Sequence, residues 1–442
     1  MGKNGIDERI VDQEMEKIMN RLSPVFFSKS GNDNAKEYIE GLLGTAERKN
    51  GWQMSEALGK TTPYQMQQYI SRGRYRADKI RDQLRGYVNE ELGEADGIIV
   101  IDDTGFIKKG EKSCGVQRQY SGTAGKIENC QIGVFLTYAS SKGHSPIDRR
   151  LYIPKSWMED KERLEGAGVP ETVSFQTKPE MGLEMLQEAT KAGVLYQWVT
   201  GDSAYGDYRD IRQWLEKNGK CYVMCVSGKE YIWEGIRQVS VASVLRDLPA
   251  EGWFEASCGE GSKGGRVFDW QAFEIEAFGR PEGWKRVMLV RRSKTDPTEL
   301  RAHICYAPRD TSDEKLIEVA GRRWTVESSF QEAKSEVGMD QYEVRGYNGW
   351  YNHVTFACIA LALLTVLSSR SNGGKPMQQY GPASSSLDEF KKNAICLFKQ
   401  RRFTKIIDKP VQEMENVEQI IYKTLDCLEK ESSEYSYVVS LS

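Results

Sequence analysis

The chain has 442 residues, of which 39% are hydrophobic and 28% charged, with a formal net charge of −3 at pH 7. This length allows two or three domains with a sizeable core, and the composition is that of a soluble globular protein. The slight negative charge argues against a uniformly basic nucleic-acid-binding chain, although local patches can hide within the average. Only three His are present, so a zinc site built on several His has little to draw on and carboxylates must carry the chemistry.

Cysteine usage and hydropathy indicate a cytoplasmic protein. Nine Cys are scattered along the chain and no secretory signal opens it, which predicts reduced thiols. The longest apolar stretch, from Val354 to Leu367, is shorter than the roughly 20 residues that a membrane span needs. We therefore expect a buried helix there and no membrane partner.

Residues 1–95 are predicted to form a helical DNA-binding region, because they show no strong strand pattern and end in a basic segment. A second basic segment lies near the C-terminus. The alternative for either segment is a solvated helix face. The two segments comprise Arg72, Arg74, Arg76, Lys79, Arg81 and Arg85, and Lys391, Lys392, Lys399, Arg401, Arg402 and Lys405.

Residues 96–226 are predicted to form the first part of a mixed α/β core. The pattern changes after Gly97 into apolar runs separated by turns, then alternates between helix and strand. The predicted strands cover 98–101, 132–138, 150–153, 196–200 and 221–226, and the predicted helices cover 179–192 and 208–218.

Residues 227–310 are predicted to be a β-rich insertion, with strands at 253–256, 266–270 and 286–290 between glycine-rich turns. A second part of the core follows at 311–370. A capping box from Thr311 to Glu314 would start the helix that carries Glu327. A Ser-, Gly- and Pro-rich linker then leads to a helical C-terminal region, residues 371–442.

Acidic residues stand where metal-dependent phosphodiester chemistry would need them. Asp102 and Asp103 end one apolar strand and Asp202 ends another, while Glu327 lies in a predicted helix. An Asp that closes a strand is often structural, but two strand ends and a helix can together hold a pair of divalent cations. Neighbours on a strand face opposite ways, so only one of Asp102 and Asp103 points at a shared site, and alternation does not choose between them.

One helix face carries Glu327 with a cation on either side along the axis. At 100° per residue, Arg323 and Glu327 lie about 40° apart, and Lys334 returns to within about 20° of Arg323. Contact with DNA phosphates is one interpretation of these cations. An intrahelical ladder of salt bridges is the other.

Arg118 and Lys126 flank a glycine-containing loop after the first strand. The run from Tyr120 to Ile127 is not a nucleotide-binding phosphate loop, because Tyr120 replaces the first required Gly and Ile127 the final Ser or Thr. ATP dependence is therefore not indicated. The loop either contacts DNA or only turns a hairpin.

At these positions the sequence resembles the DDE transposases of bacterial insertion sequences, in the cut-and-paste group. Asp102-Asp103-Thr104-Gly105 resembles their first acidic motif, which continues with Asp or Glu and then Thr-Gly, and this variation favours Asp102 as the ligand. The run from Gly201 to Gly206 resembles the second motif. Arg323-x3-Glu327-x6-Lys334 matches three members of their Tyr-Arg-Glu-Lys signature, and Ala320 stands at the position of the Tyr.

The resemblance implies an RNase H-like mixed sheet with a β insertion, flanked by helical regions. It implies that Asp102, Asp202 and Glu327 are catalytic and bind two Mg²⁺ ions, for which Mn²⁺ can substitute. It also implies cleavage of double-stranded DNA at element ends and strand transfer into target DNA by a homodimer. The implied DNA contacts are Arg322, Arg323, Trp324 and Lys334, with Trp284 as a further candidate for base stacking; Arg118 and Lys126 join them if the loop contacts DNA.

Two alternatives remain open from the sequence. A catalytically silent regulator would bind DNA ends without cutting them. A nuclease of the same RNase H-like fold would cleave strands without joining them. The Arg-Glu-Lys spacing and the large insertion favour a transposase.

Overall fold

A mixed β-sheet runs through the centre of the computed structural model, which describes residues 8–371 except 74, 236, 262–263 and 276–280. The sheet has ten strands in this described part, and β7 and β8 form a separate small hairpin. The strands are β1 (Ile98–Ile107), β2 (Gln117–Ser121), β3 (Lys126–Ser140), β4 (Gly143–Tyr152), β5 (Trp198–Gly201), β6 (Cys221–Val226), β7 (Tyr231–Glu234), β8 (Arg237–Ser240), β9 (Phe254–Gly261), β10 (Gly264–Glu274), β11 (Trp284–Arg292) and β12 (Leu300–Pro308).

Helices precede the sheet, connect its strands and follow it. They are α1 (Glu8–Leu22), α2 (Lys29–Leu42), α3 (Gly51–Ala57), α4 (Tyr64–Arg72), α5 (Ala77–Leu92), α6 (Lys155–Met158), α7 (Lys161–Gly166), α8 (Lys178–Lys191), α9 (Ser203–Gly206), α10 (Arg209–Lys217), α11 (Val241–Arg246), α12 (Asp313–Arg322), α13 (Trp324–Ser335) and α14 (Tyr347–Ser371).

The strand order is β2-β3-β1-β5-β6-β12-β11-β10-β9, with β4 also paired to β3. β1, β5 and β6 are mutually parallel, and the other pairs in this sheet are antiparallel. This mixed α/β sheet, with helices at both ends of the described chain, confirms the predicted fold class. The strands of the β-rich stretch extend the same sheet, because β12 pairs directly with β6.

Parts of the sheet were not predicted. β2, β7, β8 and β12 have no counterpart among the predicted strands, and β4 begins at Gly143 although only 150–153 was predicted. The first half of β4 contains Pro146 and Asp148, residues that are disfavoured in strands. The pairing with β3 shifts register between Leu136 and Thr137, and this irregularity accommodates Pro146 within the strand.

α14 is the core helix of the fold. The predicted buried stretch Val354–Leu367 lies within it, but the helix is longer, with 25 residues. By length and composition it could cross a membrane, yet 89% of its most apolar window is buried inside the protein. Its buried side chains pack against β4 and against α5, α4 and α2. The sheet on one side and the helices on the other therefore bury this long apolar helix inside the protein.

The first basic segment is not a continuous solvated face. Arg81 and Arg85 are 6% and 4% exposed and both form ion pairs with the buried carboxylate of Asp148. Burial alone would raise the pKa of Asp148, but the surrounding Arg side chains hold it below its usual range. Arg74 and the whole second basic segment lie outside the described residues. Arg81 and Arg85 are therefore not part of a solvated surface, because they neutralise a buried carboxylate.

The helix that carries Glu327 does not begin at a capping box on Thr311. The N-cap is Ser312, whose Oγ accepts from the Lys315 N–H at 3.3 Å, and this first helix, α12, ends at Arg322. β9 comes very close to α12 at Gly321. Only glycine fits there, because a Cβ at this position would overlap the carbonyl oxygen of Cys258. Because α12 ends at Arg322, Glu327 lies on the next helix, α13.

Replacing the central acid of the buried cluster, Asp148→Ala, should destabilise the protein by about 3–5 kcal/mol, because the buried Arg81 and Arg85 would lose their counter-charge. The urea midpoint of unfolding measures this. The control Glu37→Gln removes a partly exposed pair with Lys60 and should cost less than about 1 kcal/mol. Equal losses in the two variants would contradict the assigned role.

Candidate active site

Asp102 and Asp202 lie side by side at the same edge of the sheet. β1 and β5 are parallel, and Ile101 pairs with Gly201 in the last register position of β5. Asp102 follows Ile101 and Asp202 follows Gly201, so the parallel pairing of β1 with β5 places the two acids next to each other. Asp202 also caps α9, since its Oδ1 accepts from the Ala204 N–H at 2.9 Å.

Arg323 joins the third predicted acid to the first. Its Nη2 lies 2.7 Å from Oε1 of Glu327, one turn further along, and its Nη1 lies 3.7 Å from Oδ2 of Asp102. The ion pair between Arg323 and Glu327 is the first step of the salt-bridge ladder that was the alternative interpretation of this spacing. The same guanidinium also reaches Asp102, so Glu327 and Asp102 share one cation. Asp102 and Asp103 were expected to end their strand, but they lie inside β1, which continues to Ile107 because it pairs with β3 along its whole length.

Asp103 points away from Arg323. Its Oδ2 accepts from Lys178 Nζ at 2.9 Å and from the Tyr205 hydroxyl at 3.1 Å. These donors lie at the start of α8 and in α9, whereas Asp102 contacts the residue that precedes α13. The alternation expected for neighbours on a strand is therefore seen, and it supports Asp102 as the acid that shares a site with Glu327.

The site stores electrostatic repulsion. Burial raises the pKa of Asp102 to about 7, with further increases from the charges of Asp202 and Asp103, and Arg323 opposes the shift. Burial and the charge of Asp103 likewise raise the pKa of Asp202. Carboxylates that repel one another in a poorly solvated place are stabilised by a cation between them.

The donor set fits a divalent metal such as Mg²⁺, because all three side chains offer carboxylate oxygens and two of them repel each other. In the described part of the chain, no three acidic, His or Cys side chains stand close enough to ligate one ion in this conformation. Glu327 is 54% exposed and its carboxylate is turned to Arg323.

Lys334 is anchored by three oxygen atoms. Its Nζ donates to Thr104 Oγ1 at 2.8 Å, to the Gly105 carbonyl at 2.9 Å and to Thr123 Oγ1 at 2.8 Å. Thr104 is two residues beyond Asp102 in β1, and Thr123 lies in the turn between β2 and β3. Lys334 thus ties the helix of Glu327 both to the strand of Asp102 and to that turn.

The loop with Arg118 and Lys126 forms a hairpin. We call residues 117–130, which comprise β2, its turn and the start of β3, the basic hairpin. Arg118 is exposed and lies opposite Asn129. Lys126 is also exposed and its Nζ lies 2.9 Å from Glu128 Oε1. Both cations can be reached from solvent, and their contact with DNA stays a prediction.

The predicted aromatic contacts are packed against protein. Trp324 stacks on Phe268 with 6.2 Å between ring centroids, and the Arg266 guanidinium lies 4.7 Å from its ring centroid. Trp284 stacks on Tyr306 at 4.6 Å. These rings bind other side chains in this conformation, which favours a packing role over an open base-stacking platform.

Arg322 lies apart from the carboxylate site. Its Nη2 lies 3.5 Å from Glu318 Oε1, one turn back on α12. Arg323, the next residue, turns toward Asp102 instead. The structure therefore places Asp102 beside Asp202 and links Glu327 to Asp102 only through Arg323, while Arg322 pairs with Glu318 instead.

Several residues at the site were not identified from the sequence. Lys178 and Tyr205 hold Asp103, and Thr104 and Thr123 hold Lys334. Thr104 lies within the first acidic motif and Tyr205 within the second, so both were within quoted motifs without an assigned role. Lys178 and Thr123 carry no local signal, because their partners lie far away in the sequence.

Two family matches cover the sheet and the site just described. Residues 21–244 match the DDE superfamily endonuclease family, and residues 179–363 match the transposase DDE domain. The chain belongs to the DDE superfamily of endonucleases. It is a transposase of the DDE type, and the predicted resemblance is confirmed. It is similar to the probable transposase for insertion sequence element IS701 of Microchaete diplosiphon, with 21% identity over 315 residues that cover 70% of this chain and 75% of that protein.

The raised pKa of Asp102 makes stability of this transposase depend on pH when no metal is bound. The folded state holds the Asp102 proton more tightly than the unfolded state, so this stability is present below about pH 4 and is lost as pH rises through about 7. In EDTA, Asp102→Asn should unfold at a higher temperature than the wild type at pH 8, and the difference should vanish near pH 4.

Thermal unfolding from pH 4 to 8 measures the difference. Added Mg²⁺ should stabilise the wild type at pH 8 and stabilise Asp102→Asn much less, because the variant lacks one carboxylate ligand. Unfolding temperatures that run parallel at every pH would show that Asp102 is not under this repulsion.

Proposed function

We propose that this transposase cleaves DNA at the ends of an insertion sequence and joins the cut ends to target DNA in a metal-dependent reaction. The family matches show a DDE endonuclease and transposase, and divalent metal use is general in this superfamily. The observation that carries the finer proposal is the shared cation Arg323, which contacts both Glu327 and Asp102 beside the Asp202 strand end.

Asp102, Asp202 and Glu327 would hold two Mg²⁺ ions, and Mn²⁺ can substitute. When bound, the ions supply activation of water or of a DNA 3′-hydroxyl and stabilisation of the leaving oxygen. The chain's own contribution is placement. The register of β1 and β5 sets Asp102 beside Asp202, and Glu327 on α13 is linked to Asp102 through Arg323.

Arg323 and Lys334 would act on the DNA backbone. In this conformation Arg323 donates to the Glu327 carboxylate and Lys334 donates to the Thr104 hydroxyl. A DNA phosphate at the site would offer both cations similar oxygen acceptors. A guanidinium shared by two carboxylates can move to a phosphate once metal ions take over the compensation of charge. Arg322, Trp324, Arg118 and Lys126 would extend this contact surface along the DNA.

The DNA substrate is double-stranded at the element ends and in the target. Bringing two ends together calls for a homodimer on DNA, supported by the C-terminal region 371–442 that the sequence predicts to be helical, of which residues 372–442 lie outside the described part of the chain. Within this proposal, residues 1–95 bind DNA, 96–226 and 311–370 form the catalytic core, and 227–310 form the insertion. The enzyme would act in the cytoplasm and use no membrane, in agreement with the burial of α14.

Asp202→Ala or Glu327→Ala should reduce metal-dependent nicking of end DNA by at least about 1,000-fold and leave DNA binding within about threefold, because ligands are lost while the basic surface stays. Nicking is measured on labelled duplexes of the DNA that flanks the gene. The control Glu37→Gln changes a partly exposed acid that pairs with Lys60, far from the three carboxylates in the sequence, and should cleave normally. Cleavage at the wild-type rate by either alanine variant would refute the assignment.

Strand transfer can be tested separately from cleavage. Given pre-cut ends with free 3′-hydroxyls, a plasmid target and Mg²⁺, the wild type should produce joined products, and Asp202→Ala should not. Cleavage of intact ends without any joining would identify a nuclease that lacks strand transfer. Binding of ends without nicking in Mg²⁺ or Mn²⁺ would identify a silent regulator.

A further inference from the structure

Three arginines on the β-rich extension of the sheet gather beside the start of α13. Arg266 lies in β10, Arg291 in β11 and Arg301 in β12, and we call these three residues the arginine cluster. The guanidinium groups of Arg266 and Arg291 lie 4.7 Å and 5.1 Å from the ring centroid of Trp324, the first residue of α13. Arg291 and Arg301 are register partners, so they project from the same face of their antiparallel pair.

The protein compensates the positive charge of the arginine cluster poorly. Glu299 lies 3.9 Å from Arg291 and 3.6 Å from Arg301, which is longer than a hydrogen bond in both cases. Burial lowers the pKa of Arg266 and of Arg291 below the usual value for arginine, and neighbouring arginines lower both further. Like charges that stand directly opposite each other in a sheet are destabilising, so an anion between them would stabilise the cluster.

The groups around the cluster leave this excess of positive charge in place. Arg323 brings a further guanidinium to 5.4 Å from the Trp324 ring centroid, and its own partner Glu327 is bound to it at 2.7 Å. His303, in β12, is 8% exposed, and burial lowers its pKa to about 3, so this side chain is uncharged at neutral pH. An anion from outside the chain is therefore the partner that fits the cluster.

The position of the cluster favours DNA as the source of this anion. The Arg301 side chain is 59% exposed, so an anion can approach it from solvent, and Arg291 leads from there to the Trp324 ring that Arg323 also contacts. A DNA strand carries one phosphate per about 3.4 Å of helix axis, so one strand can occupy the active site and the cluster at the same time. The planar guanidinium group also matches the geometry of a phosphate.

We propose that the arginine cluster binds a backbone phosphate of the DNA strand next to the phosphate that is cut, and so holds that strand on the β-rich extension. This inference rests on the proposed function for its DNA substrate and adds a phosphate-binding site built from β10, β11 and β12. Each arginine that neutralises a phosphate adds about 0.9 to the slope of log affinity against log salt concentration. Removing one should weaken binding and also make it less sensitive to salt.

Arg291→Gln and Arg301→Gln test the site through binding of a fluorescently labelled duplex of the flanking element sequence. Binding is measured in EDTA, so that cleavage plays no part. Each variant should bind more weakly than the wild type, and its disadvantage should shrink roughly threefold when NaCl is raised from about 50 to about 200 mM. If Arg291→Gln fails to fold, as judged by circular dichroism, the more exposed Arg301→Gln decides alone.

Arg292→Gln is the matched control, because Arg292 is the next residue of β11 and projects from the opposite face of the sheet. Its Nη2 lies 3.0 Å from Oδ2 of Asp269, and its guanidinium lies 4.0 Å from the ring centroid of Trp253. The control removes the same charge from the same strand. It should bind end DNA with the affinity and the salt dependence of the wild type.

Single methylphosphonate links, which carry no charge, locate the contact on the DNA. They are placed one at a time at successive positions around the cut. The wild type should lose affinity at a position next to the cut phosphate, and Arg291→Gln should lose no more there, because its side of the contact is already missing. A merely structural effect of the substitution would leave the variant as sensitive as the wild type at every position.

Three results would overturn the inference. They are wild-type affinity and salt dependence in both Arg291→Gln and Arg301→Gln, an equal loss in Arg292→Gln, and undiminished sensitivity of Arg291→Gln to every methylphosphonate. None of them touches the proposed function, which fails only if the wild type does not nick end DNA in Mg²⁺ or Mn²⁺. The two failures are therefore distinguishable.

Discussion

The repulsion among carboxylates at one edge of the sheet is the constraint on which the rest of this site depends. Parallel pairing of β1 and β5 places Asp102 beside Asp202. Burial raises the pKa of both carboxyl groups, the charge of Asp202 raises the pKa of Asp102 further, and the charge of Asp103 raises that of Asp202. An unpaired cluster of this kind costs stability, so the protein must supply positive charge nearby. Arg323 beside Asp102 and Lys178 beside Asp103 supply that charge.

Lys178, Arg323 and Lys334 contact different partners at the site. Lys178 forms an ion pair with Asp103 from the start of α8, so Asp103 has a counter-charge of its own, although its charge still raises the pKa of Asp202. Arg323 contacts Asp102 and Glu327, while Lys334 contacts neutral oxygens only and so serves to position α13 on β1. A chain with net charge −3 can therefore present a DNA-binding active site, since its local cations are used where negative charge converges.

The sequence predicts those parts of the site that depend on local order. Asp202 directly follows the last residue of β5, as its apolar run predicted, and Glu327 lies one helical turn from Arg323, as its spacing predicted. Asp102 follows an apolar run in the same way, but its strand does not end there, because the pairing of β1 with β3 continues to Ile107. The break before α13 was not predictable, because it accompanies the approach of β9 to Gly321 from far along the chain. The fate of Arg81 and Arg85 was equally hidden, since their partner Asp148 lies more than 60 residues away.

The β-rich stretch shows how the fold returns Glu327 to the site. β12 pairs with β6, so the chain comes back to the central sheet after β9, β10 and β11 have extended it outward. α12 then packs against β9 and β6 before α13 crosses to β1. The position of Arg323 is therefore set by the extension at one end and by Lys334 at the other. A change in the packing of β9 on α12 would move the shared guanidinium, and with it Glu327, without altering any of the three carboxylates themselves.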